Sequence, residues 1–484
     1  MSMLAKLFGL EGASEAGLHL AKIMAILLPA FAASFQISTT FWMIFMAESL
    51  GGGNYLAGIT MVGILVVVEL AIQTALDYPT GAIGDWIGQR WVIASAMICY
   101  SAAFMLASQI TYSTPFSVFL AIYALMGLGA SQESGAFSAW FDNNYRIAMP
   151  HDTDRKQYGV FSGRLGMLFQ VVSTLVLIPG SLLALLMQRT WVFQLQAYMM
   201  IFLAVIVLFV IRDLPGVRDV KEKRPTLREY GGLLKDGVLF TVSSPFVAFT
   251  FFGEVLMWAT GTIWWNLLLF PLYFSYLLTD IAVSGFRTSV FLPQAVTLER
   301  SGIWSRRFDP VKWIHRFRLL QFCGFLFYLV IALSTLFFPP PVTVTIITFY
   351  FPFTFIPIFQ IPIESIIPII LIFIIFLITS LFESFSNILT QRVMIDVFPT
   401  RIRNSLYSFK PTVAMLFAIP LLIFFGWLLP LYGFPLTFGL CSLISLLGAI
   451  LIRKGFSYPI PKAKDLPTIH EEAVEAIPEK VPEF

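Results

Sequence analysis

Charge is scarce in this sequence. Asp, Glu, Lys and Arg make up 12% of its 484 residues, where soluble domains carry roughly a quarter, so an ordinary water-facing surface is excluded. Histidine is nearly missing too. His19, His151, His315 and His470 are scattered and fall outside the long apolar runs, and no HExxH, GxSxG or P-loop spacing occurs, which leaves no constellation for hydrolysis or nucleotide chemistry. An enzyme and an ATP-driven pump are therefore not expected. Paired intramembrane aspartates are lacking as well. The three cysteines, Cys99, Cys323 and Cys441, lie far apart in apolar surroundings, which argues against a disulfide framework or a CxxC site. No metal and no cofactor is implied. The net charge of +3 says little by itself, and no nucleic-acid partner is expected.

What is present is apolar surface: 58% of residues are hydrophobic and 16% aromatic. The bulk solvent must be lipid. Without water to satisfy backbone N–H and C=O groups, only helices or a closed barrel can span a bilayer, and the runs here are long rather than alternating. Roughly 20 apolar residues per crossing leaves room for about twelve spans. The runs place them near 21–48, 56–82, 91–110, 117–141, 159–187, 190–211, 238–260, 263–292, 316–338, 365–395, 403–430 and 432–453. The expected fold class is an all-α polytopic membrane protein, with six helices on each side of a polar linker at 216–235. Residues 1–20 form an N-terminal segment. Lys6, Glu11, Glu15 and Lys22 surround a weakly apolar stretch there with no small-residue cleavage pattern, so no removable signal is expected.

Every second loop is basic. Apart from Arg189, all Lys and Arg residues sit in or near the termini or the loops after spans 2, 4, 6, 8 and 10. By the positive-inside rule that side, with both termini, is cytoplasmic, and the location is the cell membrane. The loop after span 6 carries Arg212, Arg218, Lys221, Lys223, Arg224, Arg228 and Lys235, which also suits contact with anionic lipid. Tryptophans give two belts: Trp42, Trp191, Trp264, Trp265 and Trp427 near outer ends, Trp86, Trp91, Trp140, Trp304 and Trp313 near inner ones. Residues 339–364 read as an enlarged outer loop, since Pro339, Pro340, Pro341, Pro352, Pro357 and Pro362 punctuate it and Val342–Thr348 is β-branched. It either covers the membrane surface or the transport mouth, or forms a re-entrant helix. The tail at 456–484 is too polar to pack and is expected to be disordered.

Between spans 2 and 3 the chain reads Asp77-Tyr-Pro79-Thr80-Gly81-Ala-Ile-Gly84-Asp85-Trp-Ile-Gly88-Gln-Arg90. Glycines permit a short turn, and a carboxylate and guanidinium at a membrane edge can pair. This stretch resembles the signature of the major facilitator superfamily, G-x-x-x-D-x-x-G-x-[R/K], with an acidic-x-P-T-G before it. Trp91 stands where that family usually has a second basic residue. The end of span 4, from Gly127 through Glu133, Ser134 and Gly135 to Asp142, is similar to the family too, although small residues there also serve plain helix packing. The later half echoes the earlier one: Glu299, Gly302, Arg306 and Arg307 follow span 8, Glu383-Ser384 repeats Glu133-Ser134, and Asp396, Pro399, Arg401, Arg403 and Ser405 resemble the family's connection between spans 10 and 11. The resemblance implies two pseudo-symmetric six-helix halves, 21–215 and 236–455, rocking about a midplane site. It further implies a gating charge network of Asp85, Arg90, Asp142, Glu299, Arg306 and Arg403, with an Arg90–Asp142 contact, and a signature turn ordered by Asp77, Pro79, Gly81 and Gly88.

Ionisable residues inside spans cost about 2.5–3.5 kcal/mol each on the insertion scale. Glu69, Glu133, Glu254, Asp280 and Glu383 are of this kind, with Arg164 and Arg287 nearer inner ends. Glu69, Glu133 and Glu383 either line the cavity as substrate or proton sites or bond helix to helix, and Asp280 joins them as a candidate for substrate or proton coupling. Glu254 falls toward an outer end, which suits gating or exposure, while Asp280 and Arg287 sit two turns apart on one face as a structural or water-bridged pair. Five carboxylates against two arginines suggest an acidic cavity. The resulting expectation is a monomeric secondary transporter that moves a small organic solute with protons, in the direction of export for amphipathic or cationic compounds. Sugar or nutrient uptake, and a non-transporting receptor or scaffold on the same fold, remain open.

Overall fold

In hydrocarbon a backbone finds no water to bond to, and this chain answers with helix almost throughout. The computed structural model describes residues 8, 10, 13–152, 156–215, 217, 235, 237–350, 352–353, 355, 357–397 and 403–461, without the side chains at 78, 82, 85, 86, 156, 292, 295–300, 302, 303, 306, 358, 395, 396 and 403–408. Most of the linker 216–235 and the tail beyond 461 lie outside this description.

Span 1 is kinked, Glu15–Gln36 then Thr39–Leu50; span 2 is Tyr55–Ile87, and span 3 Gln89–Ala107. Span 4 is broken between Phe116–Glu133 and Ala136–Ala148, span 5 joins Lys156–Leu175 to Leu177–Met187, and span 6 is Arg189–Val210. Span 7 comprises Pro245–Ile263, a π-helical turn at Trp264–Leu268, and Leu269–Leu277. Span 8 is Asp280–Trp304, span 9 Pro310–Leu320 with Phe325–Phe337, and span 10 Ile366–Val397. The last helical run, Arg403–Gly455, has 53 residues, about 80 Å at the helical rise and far more than one bilayer core. Gly433, at φ 74° and ψ −176°, breaks it into span 11 (403–432) and span 12 (434–455); only glycine takes such a backbone without strain. Among the described residues, ten stretches are long and apolar enough to cross a membrane. Dividing the last at Gly433 and adding the less apolar span 8 brings the crossings to twelve.

The boundary between spans 7 and 8 differs from the sequence expectation by some sixteen residues. Gly261-Thr262 reads as an interruption, yet the helix runs through it into the π turn. The chain reverses instead at Leu278, φ 64°, where the Thr279 hydroxyl accepts from the Ala282 N–H and caps span 8. Three placements change as a result. Glu254 sits nine residues into span 7, Trp264 is wholly buried within that span instead of in a headgroup belt, and Asp280 opens span 8 instead of lying deep inside it.

Twelve crossings bring the chain's two ends to one face, the terminal face; the opposite one is the distal face. The enlarged connection before span 10 is distal and forms an antiparallel hairpin, β1 Ile346–Tyr350 with β2 Pro357–Pro362. Its β-branched residues favour that form over a re-entrant helix. Phe359 seats the hairpin against span 8, where a Cβ on Gly285 would stand 2.6 Å from its ring.

Candidate functional site

The two halves, spans 1–6 and 7–12, meet most conspicuously through one arginine. Arg189 begins span 6 directly after Gln188, whose φ of 98° turns the chain sharply. Its Nε and Nη2 each donate to Asp280 of span 8 at 2.8 Å, and its Nη1 donates to Glu48 of span 1 at 2.6 Å. This is a bidentate fork, the strong form of a guanidinium–carboxylate pair. Asp280 is also held by its place in the first turn of span 8, where the helix dipole favours an anion. Thus Asp280 pairs across the halves with Arg189, and the expected Asp280–Arg287 pair does not form.

Further contacts between the halves cluster on the same side. The Thr60 hydroxyl donates to Gly426 O at 2.9 Å, and Tyr55 meets Phe274 edge to face at 5.7 Å. A Cβ on Gly63 would come within 3.5 Å of the Gly426 Cα, so spans 2 and 11 touch almost backbone to backbone. Nearer the middle, the Thr288 hydroxyl donates to Thr174 O at 3.3 Å. The contacts between the halves described above lie at the distal face or toward the middle. The molecule is closed distally.

Within the C-terminal half lies an ion cluster that the sequence did not announce. Glu254 of span 7 contacts Arg318 of span 9 at 2.6 Å and Lys410 of span 11 at 2.7 Å. Arg318 also donates to Gln321, Asn387 and Thr390, so four spans share one network. Glu254 is buried, 6% exposed, which corrects its expected outer, solvent-facing place. The fault lay in the misplaced end of span 7. Arg318 and Lys410 fall near span ends in the sequence, where basic residues are common, and nothing in the hydropathy shows that both face one carboxylate.

Three carboxylates are left without partners: Glu69, Glu133 and Glu383 take no hydrogen bond or ion pair from a described residue. Glu69 of span 2 backs onto Gly127 of span 4, where a Cβ would stand 2.4 Å from the Glu69 carbonyl. Glu133 ends the first helix of span 4, just before the left-handed Gly135. Both lie in electrostatic reach of Tyr100, so the N-terminal pair converges on one phenol. Glu383 of span 10 faces Arg318 at longer range in the other half.

Arg287 of span 8 is a further ion within the spans that has no ion-pair partner among the described residues. It sits seven residues below Asp280 in a 25-residue helix, well away from the inner end where the sequence placed it. Its guanidinium lies 3.9 Å from the Phe291 ring centroid and 4.7 Å from that of Trp265, and its Nη1 is buried with no hydrogen-bond partner.

At the signature turn Gly88 has φ 102°, a backbone that requires glycine, and the Thr80 hydroxyl ties the turn to span 4 through Ser131 O at 2.7 Å. Asp77, Pro79 and Gly81 are exposed, and a Cβ on Gly81 would meet nothing, so close helix approach does not explain that glycine. Arg90 and Asp142 are not paired. Asp142 accepts from the Tyr158 hydroxyl, while Arg90 stacks on Trp91, 5.1 Å from its centroid. The aromatic side chain in place of a second base gives the guanidinium a neighbour of its own. Asp85, Glu299, Arg306 and Arg403 lie outside the described side chains.

Two six-span halves, clamped across one face and holding unpaired ions between their ends, define a two-domain polytopic helical membrane protein. No family model matches the sequence, and no curated protein does. Solved structures do match. A variant of the nucleoside transporter NupG aligns over 91% of this chain and all of its own at TM-score 0.63 and 12% identity. A D-xylose-proton symporter covers 92% of this chain and 99% of its own at TM-score 0.57 and 12% identity. An inward-open form of the xylose transporter XylE from E. coli gives 92%, 99%, 0.57 and 11%. At such identities the likeness concerns architecture, and the chain has the major facilitator fold.

Proposed function

We propose that this protein is a secondary active transporter in which the two halves rock about a midplane site, with the terminal face cytoplasmic and the distal face outside the cell. The observation that carries the reading is the Arg189 fork. An ion pair between the two six-span halves, at the distal face, is what a gate requires: strong enough to hold one state, partly exposed and so able to reopen. The distal position of the Arg189 fork fits an inward-facing state, and one similar structure is inward-open by its own description.

Proton coupling rests on Glu69, Glu133 and Glu383. Carboxyls that no described group binds, set in the wall of such a machine, exchange protons according to which side is open. Uptake is favoured over export, because the similar proteins include a nucleoside transporter and a D-xylose-proton symporter and no feature of this chain points outward. The substrate is a small organic solute, no enzymatic step is involved, and a single chain is the working unit.

The test is solute and proton flux in proteoliposomes under an imposed pH gradient, with Glu69→Gln, Glu133→Gln and Glu383→Gln beside the unaltered chain. One substitution is expected to abolish gradient-driven accumulation while leaving exchange intact. If no solute moves in a folded, oriented preparation, the receptor or scaffold reading replaces this one.

A further inference from the structure

The cations inside the bundle are treated unequally. Arg189 is neutralised by Glu48 and Asp280, and Arg318 and Lys410 share Glu254. Arg287 has no carboxylate within ion-pair distance among the described residues. Its aromatic neighbours leave a particular part of it free. Phe291 and Trp265 lie against it within cation–π range, while a guanidinium's N–H groups point outward in its plane and donate to no π cloud stacked above. The buried Nη1 is one such donor, and the Tyr273 hydroxyl lies beside the guanidinium; neither atom reaches good hydrogen-bond geometry with any described group. Two neighbouring polar groups whose mutual geometry leaves both short of a full hydrogen bond, each costly to leave so, mark a place for an incoming oxygen.

The surroundings fit a ligand rather than a missing structural partner. Trp265 is 39% exposed although it lies in the middle of span 7, and it belongs to the π-helical turn, whose extra residue re-aims side chains and recurs at functional sites. Thr288, the next residue after Arg287, bonds to span 5 of the other half. Span 8, which carries Arg287, thus borders the seam between the halves. Of the five carboxylates expected to make the cavity acidic, Asp280 and Glu254 are taken up by ion pairs, and Glu69 and Glu133 lie near Tyr100 within the opposite half.

We propose that Arg287, flanked by Trp265 and Phe291, is the recognition point for a solute that carries one carboxylate on a planar, apolar body. The carboxylate takes the in-plane N–H donors and the Tyr273 hydroxyl, and the planar body lies against the open indole. One unneutralised guanidinium balances one negative charge. A cationic solute is repelled, and a neutral one leaves the charge buried and unmet. This assigns the substrate class of the carrier proposed above and rests on that reading.

The test uses the full chain in detergent and three probes that share a phenyl ring: benzoate, benzyl alcohol and benzylamine. Binding is read by tryptophan fluorescence and by thermal shift. Benzoate is expected to saturate and to bind at least roughly tenfold tighter than the other two, a difference of about 1.4 kcal/mol. Arg287→Gln abolishes that preference, Arg287→Lys retains part of it, and Trp265→Phe removes most of the fluorescence response. Equal binding of benzyl alcohol, no benzoate response, or a benzoate preference that survives in Arg287→Gln overturns the proposal. Should Arg287→Gln fail to fold, Phe291→Ala and the charge series on the unaltered chain decide in its place. Benzoate that binds but never moves in proteoliposomes leaves this inference standing and sinks the carrier reading instead.

Discussion

Asp280→Asn should release the distal gate, and its effect is large enough to measure. Asp280 accepts two hydrogen bonds from Arg189. Bonds to charged groups contribute about 1.5–3 kcal/mol each when well shielded. Here the side chains of Arg189 and Asp280 are 19% and 14% exposed, and asparagine keeps one acceptor, so a net loss of about 2 kcal/mol for the closed gate is a fair working figure. That is a factor of roughly 30 in the ratio of closed to open, enough to bring a population about 97% closed down to about half. Spin labels at Tyr112 and Val342, both strongly exposed and on opposite halves of the distal face, report the change as a second, longer distance in pulsed electron resonance. Glu48→Gln provides the discriminating control. Glu48 belongs to the same half as Arg189, so its loss leaves the cross-half fork in place and should move the ratio by less than about threefold. If Asp280→Asn leaves the distances unchanged, or if Glu48→Gln opens the face as fully, Arg189 is not the gate.

Gly426→Leu places a side chain into the near-contact with Gly63 and should open the distal face as Asp280→Asn does, without touching a charge; unchanged label distances would show that spans 2 and 11 have slack. Glu254→Gln leaves Arg318 facing a neutral group in a buried site and should lower stability by about 2–5 kcal/mol, seen as a drop in the detergent unfolding temperature. Lys410→Met should cost much less, because that side chain is 32% exposed; an equal drop for both would mean that the cluster acts as one indivisible unit.

The spans were legible because a lipid solvent leaves one solution for the backbone, and runs of apolar residues reveal it. Ten of the eleven turns came from polar, proline-rich or glycine-rich interruptions, and the one misjudged shows the limit of that signal. Gly261-Thr262 has the composition of a turn but lies within a helix, whereas Leu278, a poor turn residue by type, makes the actual reversal. Hydropathy also reports how deep a charge lies and not which way it faces. Arg189 was visible as the single base on the wrong side of the alternation, and that anomaly was the available clue to the clamp. Its partner was hidden by the shifted boundary, which also concealed Glu254, Arg318 and Lys410 as a cluster. Pairing across helices depends on rotation about each helix axis, and a single sequence does not encode that openly.

Sorting the charges by partner separates two kinds of work. Pairs inside one half, such as Glu254 with Arg318 and Lys410, stay buried whichever way the halves rock, so they hold spans 7, 9, 10 and 11 as one body. The pair between halves, Arg189 with Asp280, is partly wet, and must be if it is to break and re-form on each cycle; a fully desolvated bridge would lock the state it stabilises. What remains are Glu69, Glu133, Glu383 and Arg287, which no described group neutralises. Each carries the expense of burial without a return in stability from within the chain, and such groups persist in proteins where something from outside completes them. A proton is the smallest partner able to satisfy the carboxylates, and an oxygen-bearing anion the simplest one for the guanidinium. The same molecule thus has reason to bind both, and their separation into carboxylates within the helix bundles and a cation at the seam keeps the two from neutralising each other when neither ligand is present.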